Sequence, residues 1–147
     1  MAEALLRAKL PEHLQESFAV QSAGTLGIDG MPATNYAIRV TEELGGILAG
    51  HRSQGVSAEL VKDAGLILVM ANEHLDFLRR HYPAFRENVH LLKRFASKEP
   101  PEDVEIGDPI GASLAVYREC AQIIADELDR ILPVLVNLAV QRAPETA

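Results

Sequence analysis

The sequence holds one cysteine, Cys120, no tryptophan, and only 5% aromatic residues in 147. A single thiol rules out an internal disulfide and any multi-cysteine metal site. No apolar run reaches the roughly 18 residues of a membrane-spanning helix. The longest candidate, residues 131–140, is interrupted by Pro133 and Asn137. Positive charge is also scarce: 14 Lys and Arg stand against 21 Asp and Glu, a formal net charge of −7. That balance argues against nonspecific binding to nucleic acid or to an anionic membrane. Residues 1–10 carry Glu3, Arg7 and Lys9 among their apolar residues, which is no signal-peptide core. What is present is ordinary globular material. Hydrophobic content of 48% with 24% charged residues excludes global disorder. A single domain over residues 1–147, soluble and cytoplasmic, is expected.

Taken in order, residues 2–10 (AEALLRAKL) are good helix formers, with Leu5 and Leu6 on one side. No cap precedes them, and an α-amino charge sits at the positive end of the helix dipole, so a preceding segment is expected. Residues 17–22 (SFAVQS) alternate enough for a short strand. Residues 23–31 hold three glycines and read as a loop. Residues 32–44 read as a helix with Pro32 in its first turn, ended by Gly45-Gly46. Ser57 caps a brief helix over 58–63. Residues 66–70 (LILVM) form a continuous apolar run, the pattern of a strand buried on both faces. Asn72 is expected to cap a helix over 73–81, and residues 89–92 make a third strand. A last helix is expected from about 113 to 137. Its core stripe is Leu114, Tyr117, Cys120 or Ala121, Ile124, Leu128, Ile131, Leu135 and Leu138, and Pro133 should kink or break it. The apolar tail over 134–140 continues that stripe or buries against a partner. Strands alternating with helices predict an α/β sandwich with a mostly parallel sheet, whose ligands sit at the carboxyl ends of the strands.

Before the last helix stands Asp108-Pro109-Ile110-Gly111-Ala112-Ser113. Pro109 stiffens this loop, Gly111 permits a tight turn, and Ser113 can cap the helix. A carboxyl held there can cap a helix or donate a proton at the rim of a cleft. From the loop alone the cap is the favoured reading.

Five segments in order carry a resemblance: Met1-Ala2-Glu3-Ala4-Leu5-Leu6-Arg7, Ser22-Ala23-Gly24-Thr25, Gly50-His51-Arg52-Ser53, Leu66-Ile67-Leu68-Val69-Met70, and Asp108-Pro109-Ile110-Gly111 with Tyr117. Together they resemble the low-molecular-weight protein tyrosine phosphatases, in the bacterial branch that includes arginine phosphatases. The resemblance covers residues 1 to about 132. It implies a three-layer α/β sandwich with a short parallel sheet and no cofactor or metal. The implied chemistry is two-step phosphoryl transfer through a cysteinyl-phosphate on a Cys-x5-Arg-Ser/Thr loop, with an Asp on an Asp-Pro loop protonating the leaving group. Asp108 then matches the general acid, and Ser22 and His51 match polar positions that brace the phosphate loop. Without the resemblance, Ser22 only ends a strand and His51 is a surface histidine.

The family's first, central strand and its Cys-x5-Arg loop have no counterpart in this chain. Cys120 is no substitute, because Asp126 stands six residues on and the thiol falls on a core stripe. The same lone thiol disfavours arsenate reductase, which shares the fold but needs several. Gly65 stands where the family usually has Asp, and Ile110 where tyrosine phosphatases often have an aromatic. Arg52, Arg79-Arg80 and Lys93-Arg94 read as solvated surface charges. The expected function is therefore a member of this phosphatase family that is inactive as written, a phosphatase read short. Its partner would be a phosphorylated protein or small phosphomonoester if a complete form exists, with no nucleic acid and no membrane. The alternative is a non-catalytic pseudophosphatase acting as a binding module. Sheet edges left without partners predict self-association, a homodimer being one form.

Overall fold

The last helix, α5 (Leu114–Arg142), is 29 residues long and serves as the backstop for the rest of the chain. The computed structural model describes residues 1–142; residues 143–147 of the expected domain lie outside the described residues. Ser113 accepts a hydrogen bond from the Val116 N–H at 3.4 Å, which caps α5 as its position predicts. Tyr117, Cys120, Ala121, Ile124, Leu128, Ile131 and Leu135 are buried along one side. Each buried Leu or Ile among them contributes about 1.5–3 kcal/mol by leaving water. One expectation for this helix is narrowed and another corrected. It does not break at Pro133, one of the two outcomes expected there, and Ile131 and Leu135 are buried on either side of the proline. The core stripe also stops at Leu135, because Leu138 and Val140 are exposed.

Helix α1 (Ala2–Lys9) and helix α2 (Asn35–Glu43) both lie on α5. Lys9 pairs with Asp129 at 2.7 Å, and Arg118 holds Glu43 through two bonds of 2.8 Å. Thr34 caps α2 through the Ala37 N–H at 3.2 Å, so this helix starts three residues after Pro32 rather than around it. Ser57 caps α3 (Ala58–Asp63), accepting from the Leu60 N–H at 3.2 Å as expected. Gly46 is buried where a Cβ would lie 2.7 Å from the Thr41 methyl, so no larger residue fits without a shift.

Strand β1 (Ile67–Val69) and strand β2 (Val89–Leu91) pair in parallel, Ile67 opposite Val89. Helix α4 (Asn72–His81) connects them through a 3-10 turn at Pro83–Asn88. The two strand faces feed two cores. Leu66, Leu68, Met70 and Leu92 join α1 and α5, whereas Ile67, Val69, Val89 and Leu91 join Val61 of α3 and Leu78 of α4. A short parallel sheet between helical layers is the α/β sandwich that the alternation predicts.

The expected strand over 17–22 does not form. Glu12–Ser17 is a 3-10 helix, and residues 18–22 join no sheet. Its carbonyls find side chains instead: Val20 accepts from the Arg7 guanidinium, and Ser22 from the Gln54 amide at 3.0 Å. The Leu92 N–H donates to the Val69 carbonyl at 2.8 Å, so alternation turns the N–H and C=O of Leu66 and Leu68 to the other edge of β1. Among the described residues no strand pairs with that edge. Asn72 is not the cap of α4 either. Ala71 occupies that position, and Glu105 accepts the Asn72 N–H at 2.7 Å from a remote loop.

Candidate active site

Asp108 lies on the loop that enters α5, at the end of the chain's return from the sheet. The Ile106 N–H donates to the Met70 carbonyl at 2.8 Å, which ties this loop to the carboxyl end of β1. Asp108 itself is exposed, and its Oδ1 accepts the Ile110 N–H at 3.0 Å. Pro109 is buried, its carbonyl takes the Ala112 N–H at 2.9 Å, and Gly111 turns the chain at φ 78°. Positive φ is the conformation for which glycine has no Cβ penalty. Among the described residues Oδ2 of Asp108 has no hydrogen-bond partner, so one carboxyl oxygen is fixed and the other faces outward. The carboxyl caps its own turn, not α5, and the outward oxygen can exchange a proton with a ligand.

Cys120 is buried, and its thiol lies 3.5 Å from the Gly107 carbonyl, one residue before Asp108. Burial pushes the Cys120 thiol up from its ordinary range; the Asp108 carboxylate adds to the rise and the Met1 amino group opposes it. The Met1 amino group is in turn held below its ordinary range by burial, against the pull of Glu3 and Cys120. The Cys120–Gly107 contact and the packing of Met1 on the α5 core residues place the start of α1, the Asp108 loop and the first turns of α5 together.

Ser22 and His51 converge on one residue, Glu3. Glu3 Oε2 accepts the Ser22 hydroxyl, His51 Nδ1 stands 3.9 Å from the same oxygen, and Arg7 pairs with Oε1 at 2.8 Å. The Glu3 side chain is only 13% exposed, a largely buried carboxylate paired with Arg7 on its own helix and hydrogen-bonded by Ser22 from a distant loop. The structure thus gathers Ser22 and His51 at the first turn of α1, beside Met1. Arg52 is exposed and donates to the carbonyl of His51 at 2.8 Å. Ile110 is 71% exposed on the Asp108 loop. Two surface depressions, of about 520 Å³ and 380 Å³, are lined by none of these residues. Among the described residues no three His, Cys, Asp or Glu side chains gather to hold a metal ion. No helix among them is long and apolar enough to cross a membrane.

Comparison with known proteins decides the family. Residues 1–142 match the family described as low molecular weight phosphotyrosine protein phosphatase. The chain belongs to that family. It is 33% identical over 132 residues to a protein-arginine-phosphatase of Geobacillus stearothermophilus, covering 89% of this chain and 83% of that one. It is 32% identical over 133 residues to EpsP of Ralstonia nicotianae, a probable low molecular weight protein-tyrosine-phosphatase, covering 90% and 84%. Among solved structures, the YwlE arginine phosphatase of Geobacillus stearothermophilus superposes with a TM-score of 0.82 at 30% identity, covering 96% and 86%. AmsI of Erwinia amylovora gives 0.77 at 28% identity, covering 90% and 82%. The ordered segments that suggested the phosphatase family are therefore placed in its fold.

Glu3 is the residue that sequence reasoning passed over as a site residue. Its one local signal is the Glu3–Arg7 spacing of four, which alone reads as a helix-surface ion pair. Ser22 and His51, which make it a hub, come from two loops far along the chain.

Proposed function

We propose that this phosphatase-family chain carries the proton-donor half of a phosphomonoester or phosphoramidate hydrolase, with Asp108 as the general acid, and that its 147 residues do not turn over substrate by the cysteinyl-phosphate route. One observation carries this reading. The chain's sole thiol, Cys120, is buried, pushed towards its protonated form, and followed six residues on by Asp126 rather than Arg. A thiol nucleophile needs the opposite: access, a depressed pKa and an adjacent cation. In favour of Asp108 are its outward carboxyl oxygen, its rigid turn and its place at the carboxyl end of β1. The arginine and tyrosine phosphatases among its relatives support a phosphorylated protein as substrate class. Glu3, with Ser22 and His51, supports the start of α1 as the brace for a phosphate-binding loop.

The test is aryl phosphate turnover by the 147-residue chain, wild type and Asp108→Asn. No turnover above background is expected for either. Turnover by the wild type that Asp108→Asn abolishes would overturn the proposal of inactivity. A second reading, a binding module without catalysis, draws on Gly65 and Ile110, which depart from the family pattern. It is favoured if the chain binds phosphotyrosine or phosphoarginine peptides without cleaving them. In either case self-association is proposed, supported by the open edge of β1 and by exposed Leu138 and Val140 on α5.

A further inference from the structure

The second depression, of about 380 Å³, lies between α4 and the turn that follows β2. It is lined by Asn72, Leu75 and Arg79 of α4, by His90 of β2, and by Arg94 and Phe95 of the turn, with no carboxylate in its wall. That composition stands out on a chain of formal net charge −7. Neither Arg79 nor Arg94 joins an ion pair among the described residues. Arg79 spends one donor on the Val89 carbonyl at a long 3.5 Å. Among the described residues neither guanidinium has any other hydrogen-bond acceptor, and both arginines line the depression.

The turn is also held in place before any ligand arrives. Arg130 of α5 donates to the carbonyls of Leu92 and Phe95, each at 2.8 Å, and Glu127 holds that guanidinium at 2.7 Å. The N–H groups of Arg94 and Phe95 both reach the Leu91 carbonyl at 2.9 Å. The Phe95 ring stands against His90, with centroids 5.4 Å apart. Cationic forks and an aromatic wall are thus presented from a fixed frame, which lowers the ordering cost of binding.

We propose that this depression binds a phosphomonoester, its phosphoryl group taken by Arg79 and Arg94 and its organic part laid on Phe95 and Leu75. Guanidinium forks pair with oxyanions, and one fork already saturates the two oxygens of a carboxylate. A phosphoryl group has three free oxygens and close to two negative charges, so it can accept from both arginines at once. The Asn72 amide and the His90 ring add donors at the rim. This site shares no residue with the Asp108 cluster and does not depend on the catalytic reading.

The test is a titration of the isotope-labelled full chain, followed by amide resonances at constant ionic strength, with phenyl phosphate, inorganic phosphate and benzoate. Saturable shifts at Asn72, His90, Arg94 and Phe95 are expected. Phenyl phosphate should bind more tightly than inorganic phosphate, and Arg94→Gln should weaken it by roughly tenfold, as loss of a charge-assisted hydrogen bond does. Among the described residues Arg94 makes no side-chain hydrogen bond or ion pair, so that variant is expected to keep its fold; Arg79→Gln is the second, confirming variant. Shifts confined to the residues around Met1 and Asp108, an unchanged affinity in Arg94→Gln, benzoate binding as tight as phenyl phosphate, or no saturable shift would each overturn the assignment.

Discussion

Glu105 accepts a hydrogen bond from the Asn72 N–H at 2.7 Å, so the first turn of α4 is capped by a carboxylate 33 residues downstream. The bond also places a negative charge at the positive end of the α4 dipole. Glu105→Ala should therefore destabilise the protein by about 0.5–2 kcal/mol, the ordinary cost of a lost N-cap. Glu105→Gln should lose less, because an amide oxygen still accepts the N–H while the charge is gone. Urea unfolding of the three proteins checks the order. Equal stability of Glu105→Ala and wild type would mean the loop and helix are not coupled.

Thr41 is the one buried side chain among the described residues whose polar atom lacks a partner. It is fully buried on α2, packed closely against Gly46. An unmatched hydroxyl in that setting costs about 1–3 kcal/mol. Thr41→Val keeps the shape and removes the orphan group, so it should stabilise the protein, by up to about 1 kcal/mol. Thr41→Ala should do the reverse, since it leaves a gap beside the Gly46 backbone. Thermal unfolding of both variants separates the two effects.

What the chain revealed in advance was what local chemistry decides. The α5 stripe from Tyr117 to Leu135, the Ser57 cap and the Asp108-Pro109-Ile110-Gly111 turn all rest on residues within a few positions of one another. Errors arose where a distant segment decides. Residues 18–22 have strand-like alternation, but a strand exists only with a partner edge, and Arg7 and Gln54 take the carbonyls instead. Asn72 looks like a cap by composition, yet Glu105 arrives from afar and moves the helix start by one residue. Glu3 was hidden for the same reason, being made a hub by Ser22 and His51. Pro133 does not break the helix. Burial of Ile131 and Leu135 on α5 outweighs a penalty of about 3 kcal/mol for proline inside a helix.

The open edge of β1 and the exposed end of α5 yield a prediction about assembly. Leu66 and Leu68 turn their N–H and C=O groups away from β2, and Leu138 and Val140 are exposed on a different element. Light scattering at micromolar concentration should report a species larger than 16 kDa. The double variant Leu138→Glu, Val140→Lys alters only exposed positions. If it restores the monomer, the α5 end is the contact; if the larger species persists, the β1 edge is. A wild-type monomer at that concentration removes the proposal.

Cys120 supplies a pH dependence whose sign follows from its setting. Its thiol is held above its ordinary range, chiefly by burial and then by Asp108, so the folded state favours the neutral form. In the unfolded chain the thiol ionises at its unperturbed pKa of about 8.5. The unfolded state therefore releases the proton first, and each pH step above that value favours unfolding until the folded thiol also ionises. The contribution is fully present below about pH 8.5 and is lost as pH rises through the folded value. Urea midpoints measured between pH 7 and 10 should fall more steeply for the wild type than for Cys120→Ala. The alanine variant starts lower, because it leaves a small cavity against Ile124, but its slope is the informative quantity. Parallel slopes would mean that the thiol titrates alike in both states and that its burial does not hold in solution. A thiol-reactive probe gives the matching kinetic check: labelling at pH 7 should be slow in the folded protein and fast in urea.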